Sequence, residues 1–292
     1  MTKKSTKLTI SDGIHIFGLI LLAISVFIGA NFLNSGNLAL SIPITIIIIG
    51  GLYGIVYALL KLKNGKTSKS ARRWQQLVFL FFYTIIAGAS FYCFNHFMNT
   101  QFGPKKELKL AGKDKINTVT DLVAEYGKYI SKTEASFKID LDAPAVNPDF
   151  INMKAASFRL KLEGESKSTI DKANEFISSS NIIIDYWNPI TIPSFFNEAE
   201  ATITRYRDDL ITASKSHEFS KVIPFKFDLN QNNNFEILKK ELTTFDLKRS
   251  NIIQNVIAFL FLHFLILWVY IFKFTGGGGK VKVLLKDNTI LM

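Results

Sequence analysis

Few side chains in this 292-residue chain could do chemistry: four histidines (His15, His96, His217 and His263), one cysteine (Cys93) and two close carboxylate pairs, Asp140 with Asp142 and Asp208 with Asp209. A hydrolytic zinc centre draws about three protein ligands into one compact set. Here the histidines are scattered, Cys93 stands alone, and no HExxH-like spacing occurs. Oxygen ligands two apart on a strand point to one face, so Asp140 and Asp142 could seed a divalent-ion site. No Gly-bounded calcium loop surrounds them, and a solvated strand face accounts for them. His217 and Glu218 share an expected helix with Arg205, Tyr206, Arg207 and Asp208, the densest polar cluster. An exposed helix end with a histidine near its negative pole accounts for that cluster. The patterns G-x-x-x-x-G-K-[ST], G-x-G-x-x-G and G-x-S-x-G are absent. The expectation is a non-enzymatic chain with no catalytic residue, metal or cofactor.

His263 differs in its setting, because it lies near the middle of a long apolar run. Ionisable groups at membrane depth are functional candidates by default. Proton-driven machines generally add a membrane carboxylate or a polar pathway, and neither is present in the runs. The expected role of His263 is an intramembrane polar contact, for example to Ser90 or Thr84 of another run.

The elements that must position these residues follow from hydropathy. The chain is 48% hydrophobic with 26 Phe, more apolar than a soluble protein of this size needs. The excess sits in four runs, 14–32, 40–62, 74–97 and 252–274, each close to the ~20 residues that cross ~30 Å of hydrocarbon as a helix. Cys93 falls in the third run and reads as a small apolar packing residue, so no intramolecular disulfide is possible.

The charge map gives the runs an orientation. The formal net charge is +11, yet residues 99–250 hold 22 Lys plus Arg against 22 Asp plus Glu. The excess therefore lies beside the runs, in Lys3, Lys4 and Lys7, in Lys61, Lys63, Lys66, Lys69, Arg72 and Arg73, and in the C-terminal tail. Such a distribution follows the positive-inside bias, whereas nucleic-acid binding would need a basic patch on the large hydrophilic segment. Lys61, Lys63, Lys66, Lys69, Arg72 and Arg73 are thus candidate topology determinants. The expected layout is a cytoplasmic N-terminus (1–13), three spans within 14–98, a domain outside the inner membrane at 99–250, a fourth span at 251–274 and a cytoplasmic tail at 275–292. A signal-peptide reading of the first run would put bulky Ile28 three residues before a cut after Ala30, so a retained anchor is expected.

Within 99–250, the runs 136–141 and 157–162 alternate with a period of two, and 181–186 and 221–229 also read as strands. Helices are expected from Thr118, over 168–178 and over 194–217. The expected fold class is therefore four transmembrane helices plus an α+β domain with a small, mostly antiparallel sheet. From Asn234 to Asn251 the period is helical and no Gly or Pro intervenes, so a continuous helix into the fourth span is expected. Beyond it, Gly276 to Gly279 read as a hinge, and Lys280, Val281, Lys282 and Val283 alternate as a candidate tail for docking on a partner's sheet edge, with a loosely structured basic tail on the headgroups as the alternative.

In layout, with three spans, the Arg72-Arg73 loop, an exoplasmic domain and a last span, the chain resembles the small inner-membrane subunits that anchor type VI-like secretion machines. The resemblance implies a scaffold or coupling subunit that binds envelope proteins as a homo- or hetero-oligomer among membrane lipids, with no nucleic acid involved. No sequence motif is shared, so no site residue is transferred. Two other readings compete: a sensor signalling through the helix that enters span four, and an oligomeric channel or transporter component.

Overall fold

The computed structural model describes residues 9–63, 69–103, 105–141, 147–215, 223–229, 233–244 and 251–272. Its helices are α1 (Ile10–Leu33), α2 (Leu38–Lys63), α3 (Lys69–Phe102), α4 (Lys105–Leu141), α5 (Pro148–Tyr186), α6 (Ile192–Lys215), α7 (Asn233–Thr243) and α8 (Ile252–Phe272). Among the described residues there is no strand. Helices α1, α2, α3 and α8 are each long and apolar enough to cross a membrane. The chain divides into two compact units. One holds residues 1–26, 43–94 and 252–292, and the other holds 27–42 and 95–251.

The expected α+β domain is corrected to an all-helical one. Alternation over six residues fits a strand, but the same residues also obey a helical period once the window is widened. In α5 the buried positions are Ile151, Ala155, Phe158, Leu162 and Ser166, at steps of three and four. Leu160, which a period of two would place on the same face as Phe158 and Leu162, is instead 67% exposed. In α4, Val119, Leu122, Tyr126, Ile130, Thr133 and Phe137 form the buried stripe, and Ile139 is 74% exposed. Steps of three and four keep side chains on one side of a 3.6-residue helix. Residues 181–186, expected as a buried strand, are the last turns of α5. The described part of 221–229, residues 223–229, belongs to neither helix nor strand, and its Phe225 is buried against Tyr126 at a ring-centroid distance of 5.0 Å. The Phe225 N–H donates to Ser214 Oγ on α6 at 3.0 Å, so a side chain satisfies the backbone group that a sheet would have paired.

Helices α4 and α5 form an antiparallel hairpin. At one end Lys113 pairs with Asp185 at 2.8 Å, and at the other the rings of Phe137 and Phe158 stack at 4.8 Å. With 37 residues, α4 is about 55 Å long at 1.5 Å per residue. Local signals close α5 at both ends. Asn147 caps it by accepting from Asp149 N–H at 2.9 Å, with Pro148 at the first helical position. At the far end Trp187 adopts φ 51°, and Asn188 N–H returns to Ile183 O at 3.2 Å, a left-handed C-terminal cap. Helix α6 completes a three-helix core with Ile203, Tyr206 and Leu210.

This second unit also contains the ends of three spans. Phe32, at the end of α1, is fully buried in a cluster with Ile192, Phe196, Phe235 and Leu242. The expected helix from Asn234 into the last span falls partly on residues 245–250, outside those described; α7 closes at Thr243 and α8 opens at Ile252.

Candidate functional site

In the first unit the polar side chains meet in pairs across helices. His263 of α8 lies 2.6 Å through Nδ1 from the Tyr83 hydroxyl of α3, and 3.5 Å through Nε2 from Ser90 Oγ. Ser90 donates its own proton to Ala87 O at 2.8 Å. The serine oxygen can then only accept, which puts the imidazole proton on Nε2 and leaves Nδ1 to accept from Tyr83. Thr84, the other partner named from sequence, instead donates to Leu80 O one turn back on its own helix. Phe259 packs on the imidazole at 4.2 Å between centroids. His15 of α1 donates through Nδ1 to Ile266 O at 2.6 Å. Gly18, one turn further on, sits where a Cβ would press against Leu265 and Ile266, so α1 and α8 approach closely there.

The candidate topology determinants are placed unevenly. Lys61 and Arg73 are exposed, whereas Lys63 and Arg72 are half-buried. Lys63 Nζ donates to Tyr270 O and Ile271 O in the last turn of α8, and lies 5.3 Å from the Tyr270 ring centroid. A cation there satisfies carbonyls that have no helical partner and faces the negative end of the helix dipole. Lys69 opens α3. Lys66, His217, Asp142 and the tail residues Lys280, Val281, Lys282 and Val283 lie outside the described residues.

In the second unit two groups of contacts stand out. The first surrounds the turn between α1 and α2. Asn31, with no exposed surface, donates from Nδ2 to Pro189 O at 3.3 Å and to Ile190 O at 2.9 Å. Gly36 has φ +84°, and a Cβ on it would collide with Ser194 at the start of α6. His96 near the end of α3 donates from Nε2 to Leu242 O at 2.7 Å, and its ring meets the edge of Phe32. His96 thus holds a carbonyl in the last turn of α7 that no helical N–H can reach.

The second group is charged. Lys115 of α4 is 7% exposed, lies 3.2 Å from Glu200 Oε1 of α6 and 4.7 Å over the Phe235 ring of α7. A hydrogen bond from Glu236 together with the nearby ammonium group holds the Glu200 carboxyl below its usual range. Its bond to Glu200 and partial burial push Glu236 up. The two carboxyls therefore share a proton more readily than isolated ones would. Beside them lies a cavity of about 260 Å³ lined by Lys115, Thr118, Glu200, Thr204, Arg207 and Leu229. Its cations, hydroxyls and carboxylate could hold a small polar molecule. Sequence reading missed this group, because Lys115 and Glu200 are far apart in the chain. The available signal was a lysine inside the apolar stripe of α4, between Ala111 and Ile116.

Of the expected carboxylate pairs, Asp140 is exposed on α4, and Asp208 accepts from its neighbour Arg207 at 2.7 Å. Among the described residues no group of three or more His, Cys, Asp or Glu could hold a metal ion. Comparison with protein-family models, with curated proteins and with solved structures finds no match to this chain. The fold by itself defines a multi-pass helical membrane protein with an additional soluble, all-helical domain.

Proposed function

We propose that this chain is a non-enzymatic scaffold or coupling subunit of a multiprotein assembly in the cell envelope. In this reading the termini are cytoplasmic and the helical domain stands outside the inner membrane, as in the type VI-like anchoring subunits that the layout resembles. The observation that carries it is the end of the α4–α5 hairpin that bears Leu141 and Pro148. Ser214, near the end of α6, holds Phe225, whose ring lies 5.5 Å from that of Tyr129. Beyond Tyr129, α4 runs on to Leu141, roughly 18 Å further at 1.5 Å per residue. Ile139, Phe150 and Met153 are exposed on that projecting end. An apolar projection suits protein docking better than it suits solvent. The sidedness is supported by Lys63, which ties the lysine-rich end of α2 to the C-terminal end of α8.

Affinity purification of the full chain in mild detergent, with mass spectrometry, tests the reading. The expected result is a stoichiometric set of envelope proteins that is lost in an Ile139→Glu, Met153→Glu double variant that keeps its Tm. A monodisperse monomer without partners would count against it. A reporter fused near Ser168 and found in the cytosol would overturn the sidedness.

A second reading, a sensor acting through α7 on the last span, is favoured by the Lys115 cavity, since Glu236 and Phe235 of α7 belong to the same cluster. Saturable binding of a small polar ligand to the purified chain would move the choice towards it.

A further inference from the structure

We infer that the soluble domain is seated in the lipid headgroup layer through a collar formed by Phe102, Tyr186, Ile190, Leu38 and Leu40, flanked by Lys105 and Lys106. Each span fixes where the hydrocarbon must end. About 20 helical residues cross it. On α3, counting about 20 from Leu77, which follows Arg72, Arg73 and two glutamines, reaches Phe97. On α2, counting back from Leu60, ahead of Lys61, reaches Ser41.

The domain core extends down to this level. Phe32 is buried in it with Ile28 packed alongside, and Asn31 is sealed under Pro189 and Ile190. No layer of water therefore separates that core from the ends of the spans, and side chains left uncovered at the same height face headgroups. Phe102 lies about 7.5 Å beyond Phe97 along the helix, within the headgroup layer of about 5–8 Å per leaflet. Tyr186 belongs to the same level, because its neighbour Trp187 donates to Gln101 Oε1 at 3.1 Å.

These residues are largely uncovered, with Tyr186 at 83%, Phe102 at 77% and Leu40 at 53%. On α2, Leu38, Leu40 and Ile42 are likewise uncovered. Amphipathic aromatics with lysines beside them are the chemistry of the membrane–water interface. Lys105 lies over the Trp187 ring at 5.4 Å and Lys106 is exposed, so the ammonium groups are placed for phosphates. Lys109 and Lys113 are held by Asp185 and take a smaller part.

The test uses the full chain in nanodiscs of zwitterionic and anionic phospholipid. Nitroxide labels are placed one at a time at Phe102→Cys, Tyr186→Cys and, as a distal control, Ile139→Cys, in a Cys93→Ala background. Labels at 102 and 186 should be reached by dissolved oxygen several-fold more readily, relative to a water-soluble nickel chelate, than the label at 139. Equal, water-like ratios at all three sites would overturn the inference. Exclusion of both reagents at 102 and 186 would also overturn it, since a protein surface would then cover the collar. Should the cysteine background fail to fold, photoactivatable phospholipid applied to the unaltered chain serves instead. Adducts on peptides containing Phe102 or Tyr186 are expected, and their absence would refute the collar.

Discussion

Tyr83 and His263 join two apolar helices through one hydrogen bond of 2.6 Å, with the imidazole as acceptor and the phenol as donor. Both residues are at most 6% exposed. Such bonds inside membranes contribute about 0.6 kcal/mol on average and rarely exceed about 2. Tyr83→Phe and His263→Phe should each lower the unfolding free energy in detergent by about that amount. A double-mutant cycle should then return a coupling of similar size, and strictly additive losses would mean that the two side chains do not act as a pair.

Gly36 makes a sharper prediction about the α1–α2 turn. Its positive φ disfavours any L side chain, and Ser194 occupies the place of a Cβ. Gly36→Ala should cost about 1–3 kcal/mol. Ser35 also has positive φ, at 53°, so Ser35→Gly should be neutral or slightly stabilising. Thermal unfolding of the two variants side by side checks the contrast.

Phe32 tests whether the end of α1 is part of the soluble core. Phe32→Ala should destabilise by about 3–5 kcal/mol, the range for a fully buried ring. Phe17→Ala on the same helix, where the ring is 57% exposed, should cost far less. Chemical unfolding followed by hydrogen exchange in α6 and α7 would show where the loss is felt.

The paired carboxyls Glu200 and Glu236 give a pH dependence of opposite signs. Glu200 is held below the usual glutamate value of 4.5, so its contribution is present above that value and is lost as pH falls through its folded pKa. Glu236 is raised above the same value, so its contribution is present below that value and is lost as pH rises through its folded pKa. Stability of the α6–α7 contact should therefore peak near the ordinary glutamate range. Glu236→Gln, which keeps a donor but cannot ionise, should abolish the fall on the alkaline side. Amide exchange in α7 across pH 3 to 8 would read this, and an unchanged profile in the variant would exclude the pair as its source.

The membrane part could be read from sequence because hydropathy summed over about 20 residues leaves little ambiguity. The soluble domain was misread because Ser-Phe-Lys-Ile-Asp-Leu and Ser-Phe-Arg-Leu-Lys-Leu each alternate by chance over one and a half helical turns. Six residues sample too little of either period to choose between them. Ile151, Ala155, Phe158 and Leu162 taken together have only a helical solution, and a longer window would have favoured it. His263 was found because a polar residue is conspicuous in an apolar run. The Lys115–Glu200 pair was hidden, since a charge in a soluble segment attracts no notice until the stripe around it is assigned to one helix. Asn31 carries no local signal either, because nothing near it in the chain announces that its amide will be covered from 158 residues away.

The burial of Phe32 among α6 and α7 side chains means that the domain is not assembled from one continuous stretch of chain. During synthesis the first hairpin enters the bilayer with a hydrophobic plug that has nowhere to go until some 160 further residues have emerged, an interval set by the spacing of Phe32 and Ile192 in the chain. A fragment cut at the end of α3 would carry an empty socket where the plug belongs. Solubility trials of such a fragment would then report on that socket rather than on the intact domain.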